Sequence, residues 1–161
     1  MTASSSYYDR SNVRHIDGTH VFATAEDSRN ELEVAAVLRE VWGCELHRFG
    51  ALSPVDWYSA RDGRVSGLLE LKSRTHRHDQ YPTVFLNVRK WLALSMGAVG
   101  LGVPAGFVVR FTDGVAWIPI ADVDASRQRI GGCSGRVKSR SDVEPVIEIP
   151  VASLRVLRVN A

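Results

Sequence analysis

The sequence has no long apolar run. No uninterrupted apolar segment is long enough to cross a bilayer, and no charged segment followed by an apolar one opens the chain, so we do not expect a secretory leader. Cysteine is scarce as well: Cys44 and Cys133 lie far apart and belong to no CxxC pattern. A structural zinc site is therefore not expected, and we expect two reduced thiols and a cytoplasmic protein.

A strong excess of one charge is also absent, because the formal net charge of the 161 residues is only +2. The distribution of charge is more informative. Residues 72–78 form a basic stretch, and residues 127–140 form a second one that contains no acid. Both stretches suit contacts with phosphate, although a solvated loop face would explain either of them equally well.

The apolar pattern predicts one α/β domain over residues 1–161. Helices are predicted over 24–42 and 87–99, where apolar residues recur at helical spacing. Strands are predicted at 44–49, 55–60, 65–74, 105–111, 115–120, 146–149 and 154–159. We expect residues 1–20 to be flexible and 131–142 to form a loop. This order favours a mixed central sheet flanked by helices, with extra C-terminal strands.

Two neighbouring predicted strands carry polar residues whose side chains could bind a metal or take part in catalysis. Glu70 and Lys72 lie two apart on one predicted strand and therefore point to the same face, while the leucines beside them point into the core. Asp56 interrupts the preceding apolar strand, which is an unusual place for a carboxylate without a task. A charged pair on a half-exposed strand is common, so Glu70 and Lys72 alone do not indicate an active site. The presence of Asp56 on the neighbouring strand is what favours one.

The hairpin between these strands decides whether the acids share a face. A strict two-residue turn at Asp62-Gly63 would place Asp56 opposite Leu69, on the core face. A three-residue loop would place Asp56 opposite Leu68, on the face that carries Glu70. We therefore predict an odd-length loop or a β-bulge in this hairpin.

A third acid, Glu31, lies near the N-terminal end of the apolar stripe of the first helix. It is the inward-facing acid of that helix and could reach a site on the sheet. Its alternative role is structural, as the partner of Ser28 in a capping box at the start of the helix. Clustered carboxylates repel one another, and a divalent cation removes that repulsion. Mg²⁺ prefers such hard oxygen ligands.

The segment Pro54-Val55-Asp56, followed after thirteen intervening residues by Glu70-Leu71-Lys72, resembles the signature of the PD-(D/E)XK nuclease superfamily. The order of helices and strands over residues 24–120 also resembles the αβββαβ core of that superfamily, the restriction-endonuclease-like fold. The chain departs from the literal signature in one respect, because Val55 separates the proline from the aspartate.

The resemblance implies a metal-dependent deoxyribonuclease in which a metal-activated water hydrolyses a phosphodiester bond. Its metal ligands would be Asp56, Glu70, the backbone carbonyl of Leu71 and Glu31, and Lys72 would be the catalytic lysine. The cofactor would be Mg²⁺, with Mn²⁺ able to substitute. The catalytic set that it implies is Glu31, Asp56, Glu70 and Lys72.

The resemblance also implies DNA as the partner. Members of the superfamily often place a basic residue on the second helix, for which Lys90 is the candidate and Arg89 the substitute. Together with the two basic stretches, this predicts nucleic-acid-binding residues Arg74, Arg77, Lys90, Arg136, Lys138 and Arg140. The short chain suits structure-selective cleavage, such as junction resolution or end processing, in a phage-like or mobile-element setting. Junction resolution would favour a homodimer, because two symmetric strands must be cut.

Two other functions fit the same residues. One is a catalytically inactive nuclease-like module that binds nucleic acid or protein. The other is an unrelated α/β domain in which Glu70 and Lys72 form a surface pair and Asp56 lies on the opposite face of the hairpin. The run from His76 to Asp79 could also be read as a metal site, but we expect DNA contact or simple solvation there.

Overall fold

The computed structural model describes residues 25–50, 53–131 and 143–159. Its two α-helices are α1 (Ala25–Trp42) and α2 (Val88–Leu101). The strands in these ranges are β1 (Glu45–Arg48), β2 (Trp57–Arg61), β3 (Arg64–Ser73), β4 (Thr83–Asn87), β5 (Ala105–Phe111), β6 (Gly114–Pro119), β7 (Gln128–Gly131), β8 (Glu144–Pro150) and β9 (Arg155–Val159). Short 3₁₀ helices span Ile120–Asp122, Ala125–Arg127 and Val151–Ser153.

Most of the strands form one mixed sheet of six, in the order β1-β2-β3-β5-β6-β9. The central pair β3 and β5 is parallel, with α2 in the connection, and the other neighbours are antiparallel. The α1–β1–β2–β3–α2–β5 succession confirms the predicted αβββαβ core with a mixed sheet. The last strand, β9, completes the sheet at the edge beside β6.

A second, three-stranded sheet in the order β4-β8-β7 was not predicted from the sequence. Strand β4 lies between the predicted strand over residues 65–74 and the predicted second helix, and it is too short to show a convincing period of two. Its partner β8 lies about sixty residues further along the chain, with Val84 paired to Ile149 and Leu86 to Ile147. Long-range pairing therefore decides the conformation of this segment.

The six-stranded sheet is covered on both faces, which explains why its central strands carry apolar residues on both sides. On one face, Leu69 and Leu71 pack with the α1 residues Val34 and Leu38. On the other face, Leu68 and three partners (Leu94 of α2, Leu86 of β4 and Ile147 of β8) belong to a second apolar cluster. Glu70 and Lys72 alternate with the leucines and therefore face α2 and the small sheet.

The β2–β3 hairpin has a two-residue turn and a bulge. Asp62 and Gly63 have φ values of 50° and 71°, as a type I′ turn requires, and Arg61 pairs with Arg64. Of the two alternatives predicted for this hairpin, the odd-length loop is absent and the β-bulge is present, because the register shifts between Ser59 and Ala60.

The shift has a direct consequence for the site. Trp57 pairs with Leu69, so the preceding residue, Asp56, comes level with Glu70 rather than with Leu69. At the bulge, the hydroxyl groups of Ser59 and Ser66 lie 3.0 Å apart and share a hydrogen bond.

Some predictions fall outside the described ranges, namely flexibility of residues 1–20 and a loop over residues 132–142. Gly131, expected in that loop, belongs to β7. Helix α1 already begins at Ala25, so Ser28 lies inside the helix and its proposed capping role is wrong. Neither helix in the described part of the chain combines the length and apolarity needed to cross a bilayer.

Candidate active site

Two carboxylates converge on one ammonium group at the start of β2 and the middle of β3. The Nζ atom of Lys90 lies 2.6 Å from Oδ1 of Asp56 and 2.9 Å from Oε2 of Glu70. Lys90 stands in the first turn of α2, on the face of the sheet toward which Glu70 points. Glu70 is buried, with 7% of its surface exposed. The structure thus brings Asp56 and Glu70 together around a single cation position.

Burial and mutual repulsion control the protonation of this pair. Burial, and then the nearby charge of Asp56, raise the pKa of Glu70 to about 8, although Lys90 partly opposes the shift. Burial acts to lower the pKa of Lys90, but the two carboxylates outweigh it and the pKa is raised. Near neutral pH, the carboxyl group of Glu70 therefore carries a proton, which a bound divalent cation would displace.

Lys72 lies on the same face of β3 as Glu70, two residues further along the strand. Burial is the main reason that its pKa is lowered, and the neighbouring charge of Arg74 acts in the same direction, while Glu70 and Glu144 act against it. Its Nζ atom donates a hydrogen bond of 3.3 Å to Oδ1 of Asn87. The predicted catalytic lysine is thus held close to the acidic pair.

Asn87 occupies the N-cap position of α2 but makes no side-chain capping hydrogen bond. Its Oδ1 accepts from Lys72, and its Nδ2 donates to the carboxylate of Glu144. Arg89 in turn donates to the second oxygen of Glu144 over 3.0 Å. An ammonium group only donates and a carboxylate only accepts, so this chain of contacts fixes which way the amide points.

Glu31 forms an ion pair with Arg48, whose Nη2 lies 2.6 Å from Oε2 of Glu31. Arg48 shares a strand face with Leu46, which packs among α1 residues, and its guanidinium lies over the ring of Trp57. The Glu31–Arg48 pair is therefore on the α1 side of the sheet, whereas Glu70 and Lys72 face the α2 side. The predicted role of Glu31 as a ligand stays a prediction and would require the pair with Arg48 to open.

The predicted nucleic-acid-binding residues have different surroundings. Lys90 lies between the two acids, and Arg77 is an exposed residue that pairs with Asp79 and Asp113. Arg74 is half-buried beside Lys72, and burial lowers the pKa of its guanidinium. The remaining three, Arg136, Lys138 and Arg140, lie outside the described residues.

The donor set around Lys90 fits a divalent metal ion. Asp56 and Glu70 already accommodate a positive charge between them, and their repulsion raises the pKa of Glu70. The predicted carbonyl ligand of Leu71 lies between Glu70 and Lys72 in the strand. A second group with metal-binding geometry exists in the described ranges, formed by His78, Asp79 and Asp113. His78 and Asp79 are exposed and Asp113 is half-buried, and His78 is hydrogen-bonded to Asp113 over 2.6 Å.

Sequence reasoning missed Asn87 and Glu144. Asn87 was included in the predicted helix, and an asparagine at a helix start usually signals a cap. Glu144 has no local signal at all, because it reaches the site only through the pairing of β8 with β4. Lys90 was identified, but not its contact with both acids.

Comparison with known proteins adds to this geometry. Residues 19–157 match the model of a family described as "Phage putative PDDEXK endonuclease". The fold is similar to that of Hjc, a Holliday junction resolvase from the archaeal hyperthermophile Archaeoglobus fulgidus, with a TM-score of 0.53 and 15% sequence identity over 80% of this chain and 87% of that one. At this identity the similarity concerns the fold alone. No curated protein sequence matches the chain.

Proposed function

The chain belongs to the phage PDDEXK endonuclease family, and we propose that it is a Mg²⁺-dependent DNA endonuclease whose active site is formed by Asp56, Glu70 and Lys72. The observation that carries the proposal is the convergence of Asp56 and Glu70 on one cation position. Lys72 stands on the same strand face, within reach of the same substrate atoms.

Different residues would bind the metal ion and stabilise the reacting phosphate. Asp56 and Glu70, with the carbonyl of Leu71, would hold the ion. Glu31 would join them, directly or through water, once its ion pair with Arg48 opens. When bound, Mg²⁺ supplies Lewis acidity toward the phosphate and activates a water molecule, and Mn²⁺ would substitute for it. Lys72 places a positive charge beside the phosphate and stabilises the charge that develops there.

Lys90 would give up its place between the two acids when the ion binds. Its ammonium group then becomes available to the DNA backbone, which reconciles its present contacts with the predicted role in nucleic-acid binding. Hydrolysis would add water across a P–O bond and leave a 5′-phosphate and a 3′-hydroxyl. Arg74, Arg77 and the basic residues 136, 138 and 140 would contact other phosphates. A cytoplasmic setting, where DNA is accessible, is part of this proposal.

We further propose that the enzyme acts as a homodimer on branched or end-containing DNA. The outer side of α2 exposes an apolar stripe that lies within a stretch free of charged residues from 91 to 109, and its members are Leu92, Met96 and Val99. An exposed apolar patch of this kind suits an interface. Two copies of α2 packed antiparallel would form a self-complementary contact with no opposed like charges.

A cleavage assay tests the enzymatic proposal. Plasmid, linear duplex and four-way junction DNA are incubated with the wild type, Asp56→Ala and Lys72→Ala, with Mg²⁺, with Mn²⁺ and with EDTA. Cleavage should require the metal and fall by about a thousandfold or more in each variant, because Asp56→Ala removes a metal ligand and Lys72→Ala removes the positive charge beside the reacting phosphate. Equal cleavage by all three proteins would identify a contaminant and remove the enzyme proposal.

The second candidate function is an inactive module that binds nucleic acid. The exposed arginines favour it as much as they favour an enzyme, but both acids and Lys72 are present at one site. The two functions differ in the same assay, since an inactive module would shift the mobility of DNA without cutting it in any metal.

A further inference from the structure

A groove of about 440 Å³ opens beside the candidate active site, where β3 ends. Its lining includes Arg74, Thr75, His76, Tyr81, Thr83 and Phe85. The groove begins with the residue that follows Lys72 in β3, so its occupant would be a neighbour of the group on which Lys72 acts. None of its residues takes part in the chemistry proposed above.

The groove is lined by a positive charge, on Arg74, that has no counter-ion among the described residues. Within the described ranges, the guanidinium of half-buried Arg74 forms no ion pair with any carboxylate. A desolvated cation without a partner destabilises the empty protein. Phosphate matches the planar fork of a guanidinium and would remove that cost.

The wall of the groove is aromatic. Tyr81 is 52% exposed, and the ring of His76 meets it edge-on at 4.8 Å between centroids. Nδ1 of His76 donates a hydrogen bond of 2.8 Å to the carbonyl of Arg77, which fixes the ring behind Tyr81. An exposed aromatic face beside a cation is the combination that binds single-stranded nucleic acid, because every base offers a flat surface for stacking.

We infer that this groove binds an unpaired nucleotide of the DNA substrate, with Arg74 on its phosphate and Tyr81 stacked on its base. Bases inside a continuous duplex are already stacked on each other and cannot reach a side-chain ring. The groove would therefore select DNA in which unpaired nucleotides lie next to the cleaved phosphate. This inference rests on the proposed function, since it takes the substrate to be DNA bound across the same site.

Equilibrium binding in EDTA tests the role of Arg74 without cleavage. A blunt duplex and the same duplex with a single-stranded tail are titrated with wild type and Arg74→Met, which keeps the aliphatic stem and removes the charge. Binding of the tailed DNA should weaken about tenfold, and its salt dependence should lose about one phosphate contact. The melting temperature should not fall, because the charge that is lost pairs with no carboxylate in the part of the chain that the structure describes. Arg64→Met, at the other end of β3, is the matched control and should leave the preference for the tail unchanged.

Tyr81 tests the stacking half of the inference. Tyr81→Ala should weaken binding of the tailed DNA by about fivefold or more and leave the blunt duplex unaffected, and Tyr81→Trp should restore the wild-type preference. Equal losses on both substrates, no loss on either, or a wild type that does not bind tailed DNA more tightly than blunt duplex would each overturn the inference. If both variants bind DNA as the wild type does and metal-dependent cleavage is intact, the inferred nucleotide-binding role of the groove is wrong and the nuclease proposal stands. If the predicted binding pattern is seen without any cleavage, the nuclease proposal is wrong and the binding role of the groove stands.

Discussion

The carboxyl group of Glu70 shows how a single residue couples stability to function. Burial and the neighbouring Asp56 raise its pKa from 4.5 to about 8. Between these two values the folded protein binds more protons at this group than the unfolded chain does. Stability should therefore decrease as the pH rises through that range. The folded state is least stable when Asp56 and Glu70 are both ionised and no metal is bound.

Replacing Glu70 tests this coupling. In Glu70→Gln the group cannot ionise, so the variant should gain melting temperature relative to the wild type, and the gain should be larger at pH 8 than at pH 5. Thermal unfolding in EDTA at several pH values measures the difference. A difference in melting temperature between the two proteins that is the same at every pH from 5 to 8 would contradict the raised pKa of Glu70.

The hydrogen bonds from Lys72 through Asn87 to Glu144 hold the lysine in position. Asn87→Asp turns the amide nitrogen that faces Glu144 into a carboxylate oxygen, so two like charges meet and Lys72 loses its alignment. Cleavage should fall about tenfold or more. Adding Glu144→Gln supplies a donor toward the new oxygen and should restore much of the activity.

Recovery of the rate in the double variant is what distinguishes positioning from bulk stability, so melting temperatures are measured alongside. A double variant that is no faster than Asn87→Asp alone would mean that the contact does not position Lys72.

At the scale of elements, the β2–β3 hairpin sets the alignment of the site. The shared face of Asp56 and Glu70 depends on an extra residue in β3, and the close approach of the two strands there depends on Gly67. A side chain at Gly67 would meet Oγ of Ser59 at 2.8 Å and the carbonyl of Pro104 at 3.4 Å. Glycine is therefore required by space rather than by backbone angle.

Gly67→Ala should destabilise the protein by about 1 to 3 kcal/mol, because the added methyl group overpacks the bulge. Urea unfolding measures the loss. Adding Ser59→Ala removes the atom in closest contact and should recover part of it, whereas no difference between the single and double variants would show that the contact with Pro104 dominates.

The hairpin also shows what can be read from sequence. The Asp-Gly pair indicated the turn, and the alternation of Glu70 and Lys72 with leucines indicated their common face. The requirement that Asp56 join them then predicted either an odd-length loop or a bulge, and of these the bulge is present. Strand β4 and residue Glu144 could not be predicted in the same way, because they depend on pairing between segments about sixty residues apart and leave no local period.

At the scale of the molecule, the small sheet and α2 complete the side of the main sheet on which the site lies. The small sheet contributes Glu144 and closes the second apolar cluster, and α2 contributes Lys90 from its first turn. The outer side of α2 carries the apolar stripe, with Met96 73% and Val99 86% exposed. The first turn of α2 would therefore contribute Lys90 to the active site, and the exposed side of the helix would form the dimer interface.

Sedimentation velocity tests the dimer. The wild type should sediment as a dimer at micromolar concentration, and Met96→Glu should shift it to monomer, because two like charges would face each other across the two-fold axis. Val65→Glu, a similar change on an exposed apolar residue of the β2–β3 hairpin, is the control and should remain dimeric. A monomeric wild type would remove the proposed interface and leave the active site untouched.

If Asp56 and Glu70 bind one divalent ion, that ion can be located in crystals soaked in Mn²⁺. Anomalous diffraction identifies manganese independently of any assay. We expect a peak between the two carboxylates, with the ammonium group of Lys90 displaced from its present position. A peak only at His78, Asp79 and Asp113, or none between Asp56 and Glu70 at saturating Mn²⁺, would contradict this expectation.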